Sequence, residues 1–151
     1  MNKLFLYPAA LHAGNEPTQV ITILGSCIAV CLWDPVLKIG GINHYMLPLW
    51  NGHGLASPRY GNIAIDKLIT KMISLGSNKN DLKAKVFGGG EVLKTETSGF
   101  NIGTRNIELA ENLLREKNIP IISSSTGGKF GRKILFNTET GEVRMKYIGK
   151  S

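Results

Sequence analysis

The chain has 151 residues, of which 42% are hydrophobic, and it carries 18 Lys and Arg against 11 Asp and Glu, a formal net charge of +7. This length and composition fit one domain, residues 1–151, with a core large enough to fold without disulfides or a structural metal. The charge favours an acidic partner. The basic residues are scattered and are not interleaved with aromatics, which argues against a nucleic-acid binder.

The first patterned segment is an apolar run at 4–11, which follows Lys3 in the manner of a short signal peptide. We reject a signal peptide because Pro8 interrupts the run and no small-residue cleavage site precedes a clean start. No segment approaches the roughly 20 apolar residues of a membrane-spanning helix. Cys27 and Cys31 are too far apart along an extended strand for a disulfide, whose Cα atoms lie within about 7 Å. We therefore expect a cytoplasmic protein with free thiols and no membrane insertion.

A tight β-hairpin is predicted next, with one arm at 22–35 and the other at 40–48. Asp34-Pro35 begins the turn between the arms. Side chains alternate between the two faces of a strand, so the register of the hairpin decides which residues of the two arms share a face.

Two even-length turns bring Cys27 and His44 to the same face of this hairpin. If Asp34 pairs with Leu37, Cys27 lies directly opposite His44, and if Asp34 pairs with Ile39, the two residues lie on a diagonal. Only an odd-length loop or a β-bulge would separate them.

A thiol that can reach an imidazole is a candidate nucleophile with its base. We expect His44 to hold Cys27 as a thiolate, with a pKa below the free value of about 8.5. Gly25-Ser26 can bend the chain so that backbone N–H groups face the sulfur and bind an oxyanion. Asn43 is a further candidate of the same kind. Taken alone, Cys27 reads as a small buried residue and His44 as a core histidine, but the combination favours catalysis.

Two neighbouring residues carry weaker signals. The hydroxyl of Thr22 could orient the second ring nitrogen of His44, although threonine in a strand is usually only a good strand former and spacing alone does not support the role. Cys31 points to the same face as Cys27, but its neighbours are apolar, and we assign it to the core.

A zinc site fails on spacing. Cys27, Cys31 and His44 match the first three ligands of a two-Cys, two-His zinc finger, but His53 follows too late and Pro48 prevents the helix that should carry both histidines. The glycine-rich segments lack the spacing of phosphate-binding loops. We therefore expect neither a metal nor an organic cofactor.

The remaining segments predict two helices and further strands. In chain order they are an exposed loop at 49–58, a helix at 60–75 ended by Gly76, a strand at 84–87 running into Gly88-Gly89-Gly90, a helix at 105–117 with Thr104 as N-cap and Asn118 as its end, a strand at 119–123, and a hairpin of 133–136 with 143–147. The three glycines permit unusual backbone angles or close approach of another segment. This order suggests a layered α/β domain with largely antiparallel pairing.

Several runs, in the same order, resemble the signature of the CheD family of chemoreceptor glutamine deamidases over nearly the whole chain. The runs are TILGSCIAVCLWDP at 22–35, GINHYMLP at 41–48, RYG at 59–61, KVFGGG at 85–90, NIGxRN at 101–106, TGG at 126–128 and TG at 140–141. The hairpin runs are highly specific, whereas the glycine motifs alone are weak.

The resemblance implies a three-layer α/β/β sandwich akin to the cytotoxic-necrotizing-factor deamidases. It implies a protein-glutamine glutaminase with Cys27 as nucleophile, His44 as base and Thr22 as the residue that orients His44. The family's substrates are glutamines on the cytoplasmic helices of methyl-accepting chemotaxis receptors, and some members also hydrolyse methyl esters. Its partners are these receptors and, where present, the phosphatase CheC.

The alternative interpretation is a non-catalytic regulatory module that binds receptor helices or a CheC-type phosphatase through the same groove. A basic nucleic-acid binder is the least favoured class. The sequence does not specify which glutamines are modified, whether methyl esters are cleaved, whether a CheC partner exists, or the oligomeric state.

Overall fold

The protein is built from two β-sheets and two helices, in a computed structural model that describes residues 1–91 and 101–149. In chain order the elements are β1 (Asn2–Phe5), β2 (Leu11–Gly14), β3 (Thr18–Leu24), β4 (Ile28–Asp34), β5 (Ile39–Asn43), α1 (Gly61–Ser74), β6 (Lys83–Gly88), α2 (Ile102–Glu116), β7 (Ile121–Thr126), β8 (Gly131–Asn137) and β9 (Val143–Ile148). A short 3-10 turn, Lys79–Asp81, connects α1 to β6.

The strands divide between a four-stranded sheet, in the order β1-β3-β8-β9, and a five-stranded sheet, in the order β2-β5-β4-β6-β7. β1 runs parallel to β3 and β6 runs parallel to β7, and the other described pairs are antiparallel. The predicted α/β domain with mostly antiparallel strands is therefore confirmed.

The two sheets pack face to face, and both helices cover the outer face of the five-stranded sheet. The core between the sheets consists of Leu6, Val20, Leu24, Ala29, Cys31, Ile42, Phe87, Ile134 and Phe136. The core under the helices joins Val30 and Leu32 of β4 to Leu68 of α1 and Leu114 of α2. The layers thus follow the expected α/β/β order.

β4 is the central strand of the five-stranded sheet and is buried at nearly every position. Its odd-numbered residues Ala29 and Cys31 face the other sheet, whereas Val30 and Leu32 face the helices. Each fully buried aliphatic side chain contributes about 1.5–3 kcal/mol. The strand that begins directly after Cys27 is therefore firmly anchored on both faces.

Both predicted helices are present, and one predicted cap is wrong. α1 ends near the predicted stop, where Gly76 has a φ of +109°. α2 begins at Ile102, after Asn101, so Thr104 lies inside its first turn and is not the N-cap. Asn118 ends α2 as predicted, with a φ of +58°.

The strands agree with the prediction except near the N-terminus, in the first arm of the predicted hairpin and at β7. The arm predicted at 22–35 is wrong as a single strand, because residues 22–24 belong to β3 in the four-stranded sheet and the arm that pairs with β5 is β4. β7 begins at Ile121, because the N–H of Ile119 still donates to the α2 carbonyl of Leu114 at 2.9 Å. β1 and β2 were not predicted. Each has four residues, and β1 is held by parallel pairing with β3, in which Leu4 aligns with Val20. Such long-range pairing leaves little pattern in the local sequence.

Candidate active site

The chain crosses from one sheet to the other at residues 25–27, which we term the crossover. β3 of the four-stranded sheet ends at Leu24, and β4 of the five-stranded sheet begins at Ile28. All three crossover carbonyls accept hydrogen bonds: Gly25 O from Gly90 N at 2.9 Å, Ser26 O from Asn106 Nδ2 at 3.0 Å, and Cys27 O from Gly89 N at 2.9 Å. These bonds fix the backbone that carries the Cys27 thiol.

The three-glycine segment at 88–90, which begins with the last residue of β6, lies directly against the crossover. Gly88 has a φ of +111°, and a Cβ atom there would collide with the Cys27 carbonyl oxygen. The sequence predicted either unusual backbone angles or close approach at these glycines, and Gly88 requires both.

Two backbone N–H groups of the crossover, those of Ser26 and Cys27, donate to no other described residue. In a trans peptide the C=O of one residue and the N–H of the next point in opposite directions. The bonds at Gly25 O and Ser26 O therefore aim the N–H groups of Ser26 and Cys27 away from Gly90 and Asn106. The Cys27 N–H lies beside its own sulfur, where it lowers the thiol pKa in part.

The hairpin of β4 and β5 has the longer of the two predicted turns, because Asp34 pairs with Ile39. Pairing continues past the strands as a bridge between Ile28 and Tyr45. Cys27 and His44 each precede one residue of that bridge, so they lie on the predicted diagonal. Cys27 packs against the core between the sheets, and His44 turns to the same side, where it meets the four-stranded sheet.

His44 is held by Thr22, which comes from the opposite sheet. Thr22 Oγ1 lies 2.7 Å from His44 Nδ1 and donates its proton to the Leu6 carbonyl, also at 2.7 Å. Because a hydroxyl has one proton, Thr22 accepts from Nδ1–H. His44 is therefore the Nδ1–H tautomer, with a lone pair on Nε2. That Nε2 is buried and makes no hydrogen bond to a described residue, including Cys27.

Burial keeps both groups neutral at rest. His44 is 2% exposed, and desolvation lowers its pKa to about 4. Burial raises the pKa of the Cys27 thiol, with the backbone N–H of Cys27 opposing that shift. The expectation that His44 lowers the Cys27 pKa is therefore wrong for the resting protein, because desolvation outweighs it.

Alkylation should separate the two cysteines. Cys27 is half-buried, whereas Cys31 is 1% exposed within the core. We expect iodoacetamide to label Cys27 and to leave Cys31 unreacted in the folded protein, as measured by peptide mass spectrometry. The rate at Cys27 should keep rising as the pH passes 9.0, since burial keeps the thiol protonated. A plateau below neutral pH would contradict the neutral resting state.

Asn43, predicted as an oxyanion or substrate-loop residue, lies on the other face of the sheet. Its Oδ1 accepts from the N–H of Val30 at 2.9 Å, and Val30 belongs to the core under the helices. Asn43 is fully buried there. Its observed contact is structural and separates its side chain from the face that carries His44.

Asn106 of α2 contacts the site and was not predicted as a site residue. Its Nδ2 donates to Ser26 O and to Met46 O, each at 3.0 Å. The signal was present in the sequence, because Asn106 is a polar residue on the face of α2 that buries Ala110 and Leu114. An amide on the buried face of an amphipathic helix indicates a specific partner.

Two features are absent from the described part of the chain. No group of three or more His, Cys, Asp and Glu side chains could hold a metal ion there. No described helix combines the length and apolarity needed to cross a bilayer. His53, the fourth ligand considered for zinc, lies in the exposed loop after β5.

The chain is similar to known proteins over most of its length. Residues 46–147 match the family model described as CheD chemotactic sensory transduction. A relative from Trichlorobacter lovleyi, named "Probable chemoreceptor glutamine deamidase CheD", is 50% identical over 143 residues, which cover 95% of this chain and 89% of the relative. A relative of the same name from Sulfurimonas denitrificans is 44% identical over 150 residues, covering 99% and 96%.

Among solved structures, the chain resembles a Bacillus licheniformis protein described as hypothetical protein YfiH. The TM-score is 0.45 and the identity 19%, with 72% of this chain and 49% of that chain covered. This likeness is too weak to indicate function. The family match and the full-length relatives are decisive, and they show that the chain belongs to the CheD family.

Proposed function

We propose that the protein hydrolyses glutamine side chains of chemoreceptors to glutamate, as the names of its relatives state for those proteins. One observation carries the proposal: Thr22 binds Nδ1 of His44 and leaves the buried Nε2 as a free acceptor on the face that carries Cys27. A core histidine with a purely structural role would be expected to use both ring nitrogens.

The first step joins Cys27 to the substrate. The thiol approaches Nε2 by rotation about its Cα–Cβ bond, and His44 takes its proton as the sulfur attacks the carboxamide carbon. Because both groups are neutral at rest, the proton moves as the carbon–sulfur bond forms. The N–H groups of Ser26 and Cys27 would bind the oxyanion. Protonated His44 then delivers its proton to the leaving nitrogen, which departs as ammonia and leaves a thioester.

The second step restores the enzyme. His44 Nε2, neutral again, takes a proton from water, which attacks the thioester carbonyl. Collapse of the second oxyanion expels the Cys27 sulfur, which recovers its proton from His44. One amide and one water thus give one carboxylic acid and one ammonia. The proposed reaction steps use neither a metal nor an organic cofactor.

Thr22 supports the charge that His44 gains. When Nε2 takes a proton, the bond from Nδ1–H to Thr22 becomes charge-assisted and therefore stronger. We expect Thr22→Val to lower kcat by about 10-fold, a smaller loss than removal of Cys27 or His44. Thr22→Ser should recover most of it, and full activity of Thr22→Val would exclude an orienting role.

The direct test is incubation with receptor cytoplasmic fragments, followed by peptide mapping. Each conversion of amide to acid adds about one dalton and releases one ammonia. A purified protein that binds the fragments and leaves their masses unchanged would be the regulatory module.

We extend the proposal to receptor methyl esters, because the same thiol attack would expel methanol in place of ammonia. Methanol release from a methylated fragment tests this activity in the same assay. A CheC-type phosphatase remains a proposed partner by family resemblance, to be tested by co-elution of the two purified proteins.

A further inference from the structure

Asn106 joins the two segments that carry the proposed nucleophile and base. Its Nδ2 donates to Ser26 O, one residue before Cys27, and to Met46 O, two residues after His44, each at 3.0 Å. The side chain is fully buried. Both donor hydrogens of one amide group are thus used to tie these two loops together.

The backbone of Asn106 is fixed as well. The Tyr45 hydroxyl donates to the Asn106 carbonyl, and Tyr45 is the residue between His44 and Met46. Tyr45 itself is fully buried in the core under the helices. The bond to Tyr45 therefore holds the backbone of Asn106, and with it the position from which the side-chain amide donates.

α2 also supports the crossover by a second route. Gly103, at the start of α2, packs so closely against the Gly89 carbonyl that a Cβ atom at Gly103 would collide with it. Gly89 in turn donates to Cys27 O at 2.9 Å. The first turns of α2 thus bind Ser26 directly through Asn106 and support the Cys27 carbonyl indirectly through Gly89.

We propose that Asn106 is a positioning residue that sets the separation of the Cys27 sulfur and His44 Nε2, and that this inference rests on the proposed deamidation. The direct bonds between the hairpin arms end at Ile28 and Tyr45, so Cys27 lies one residue outside the bonded part of the hairpin and His44 one residue inside it. The crossover and the segment after Tyr45 lie beyond the last bonded pair, and Asn106 joins them through Ser26 O and Met46 O.

Loss of the Asn106 amide has two opposite consequences. The crossover relaxes, so the productive approach of sulfur to Nε2 becomes rarer and kcat falls. The same relaxation lets water reach Cys27, whose thiol pKa is raised by burial, so simple alkylation becomes faster. A mere loss of global stability would instead expose Cys27 and Cys31 together.

The experiment compares Asn106→Ala with Ser77→Ala in the full chain. Ser77 is a matched control, because its hydroxyl donates to Asp34 Oδ2 at 2.7 Å in a buried bond at the opposite, turn end of the hairpin. We expect Asn106→Ala to lower kcat by about 10- to 100-fold, with KM within about twofold. Iodoacetamide labelling of Cys27 should become faster while Cys31 stays unreacted.

Three outcomes would overturn the inference: a fall in kcat no larger than that of Ser77→Ala, a change confined to KM, or labelling of Cys27 and Cys31 that rises together. If circular dichroism shows that Asn106→Ala does not fold, Asn106→Ser, whose hydroxyl is too short to reach both carbonyls, is compared by the same criteria.

The alkylation readout separates this inference from the proposed function. If the unmodified protein does not deamidate receptor fragments, the proposed function fails. Selective acceleration at Cys27 in Asn106→Ala would still support the positioning of the crossover. If the unmodified protein deamidates and Asn106→Ala matches Ser77→Ala in both assays, the inference alone fails.

Discussion

Cys27→Ala should release no ammonia from receptor fragments, whereas Cys31→Ala should retain most of the activity. The proposed mechanism has no other nucleophile on the face that carries His44, because Cys31 is sealed in the core between the sheets and burial raises its pKa strongly. Without the sulfur, the thioester cannot form. The readout is the mass of each receptor peptide, which rises by about one dalton for each amide converted.

The comparison of the two cysteines is informative because they lie four residues apart and differ in environment. Cys31→Ala leaves a small cavity and should cost roughly 1–2 kcal/mol of the free energy of unfolding. Cys27→Ala should lower the free energy of unfolding by less, because Cys27 is only half-buried. Activity lost in Cys31→Ala with its fold intact, or kept in Cys27→Ala, would contradict the assignment of the nucleophile.

The shared face of Cys27 and His44 could be predicted because side chains alternate along each strand, so that turns differing by two residues leave the pair on the same face. Both candidate turns gave the same face, and the observed pairing of Asp34 with Ile39 is one of them. The helices were predictable for a related reason: the apolar spacing of α1 and its terminal Gly76 act within one element. Local periodicity is sufficient for such features.

The partner of His44 could not be derived from local pattern. Thr22 and His44 belong to different sheets, and their contact depends on how those sheets pack. Leu6, whose carbonyl fixes the Thr22 proton, follows a strand that was not predicted. Before the structure, the residues alone gave Thr22 as a weak candidate, and the family resemblance assigned it the orienting role.

The directions of the pKa shifts of Cys27 and His44 could not be predicted from the sequence either. An imidazole beside a thiol predicts a thiolate only if the pair is solvated or otherwise charge-stabilised. Here the sheets and the crossover exclude water, and desolvation shifts both groups toward their neutral forms. The Cys27 thiol is therefore uncharged in the resting protein and becomes nucleophilic only when His44 takes its proton.

His44→Ala and His44→Asn should both abolish deamidation, with losses of at least about 10²- to 10⁴-fold. His44→Asn is the sharper variant, because an amide N–H can replace Nδ1–H toward Thr22 but supplies no base in the place of Nε2. Activity in His44→Asn close to that of the unmodified protein would exclude His44 as the base. The same peptide-mass assay measures both variants.

The pH dependence gives a second test of His44. The His44 ring must be unprotonated to accept the thiol proton. As the pH is lowered, kcat/KM should therefore fall with a midpoint near pH 4, the value to which burial lowers the pKa of His44 from 6.5. Stability follows the same group: a lowered pKa means that the unfolded state binds more protons between pH 6.5 and 4. The contribution of His44 to the free energy of unfolding is therefore complete above pH 6.5 and falls by about 3 kcal/mol as the pH is lowered toward 4.

His12, whose pKa burial and the Lys71 charge also lower, contributes in the same direction. The difference in unfolding free energy between the unmodified protein and His44→Asn isolates the share of His44. Rates are measured only where circular dichroism shows a folded protein. A rate midpoint near pH 6.5 in folded protein would mean that His44 is solvated, and the neutral buried pair on which the mechanism depends would be wrong.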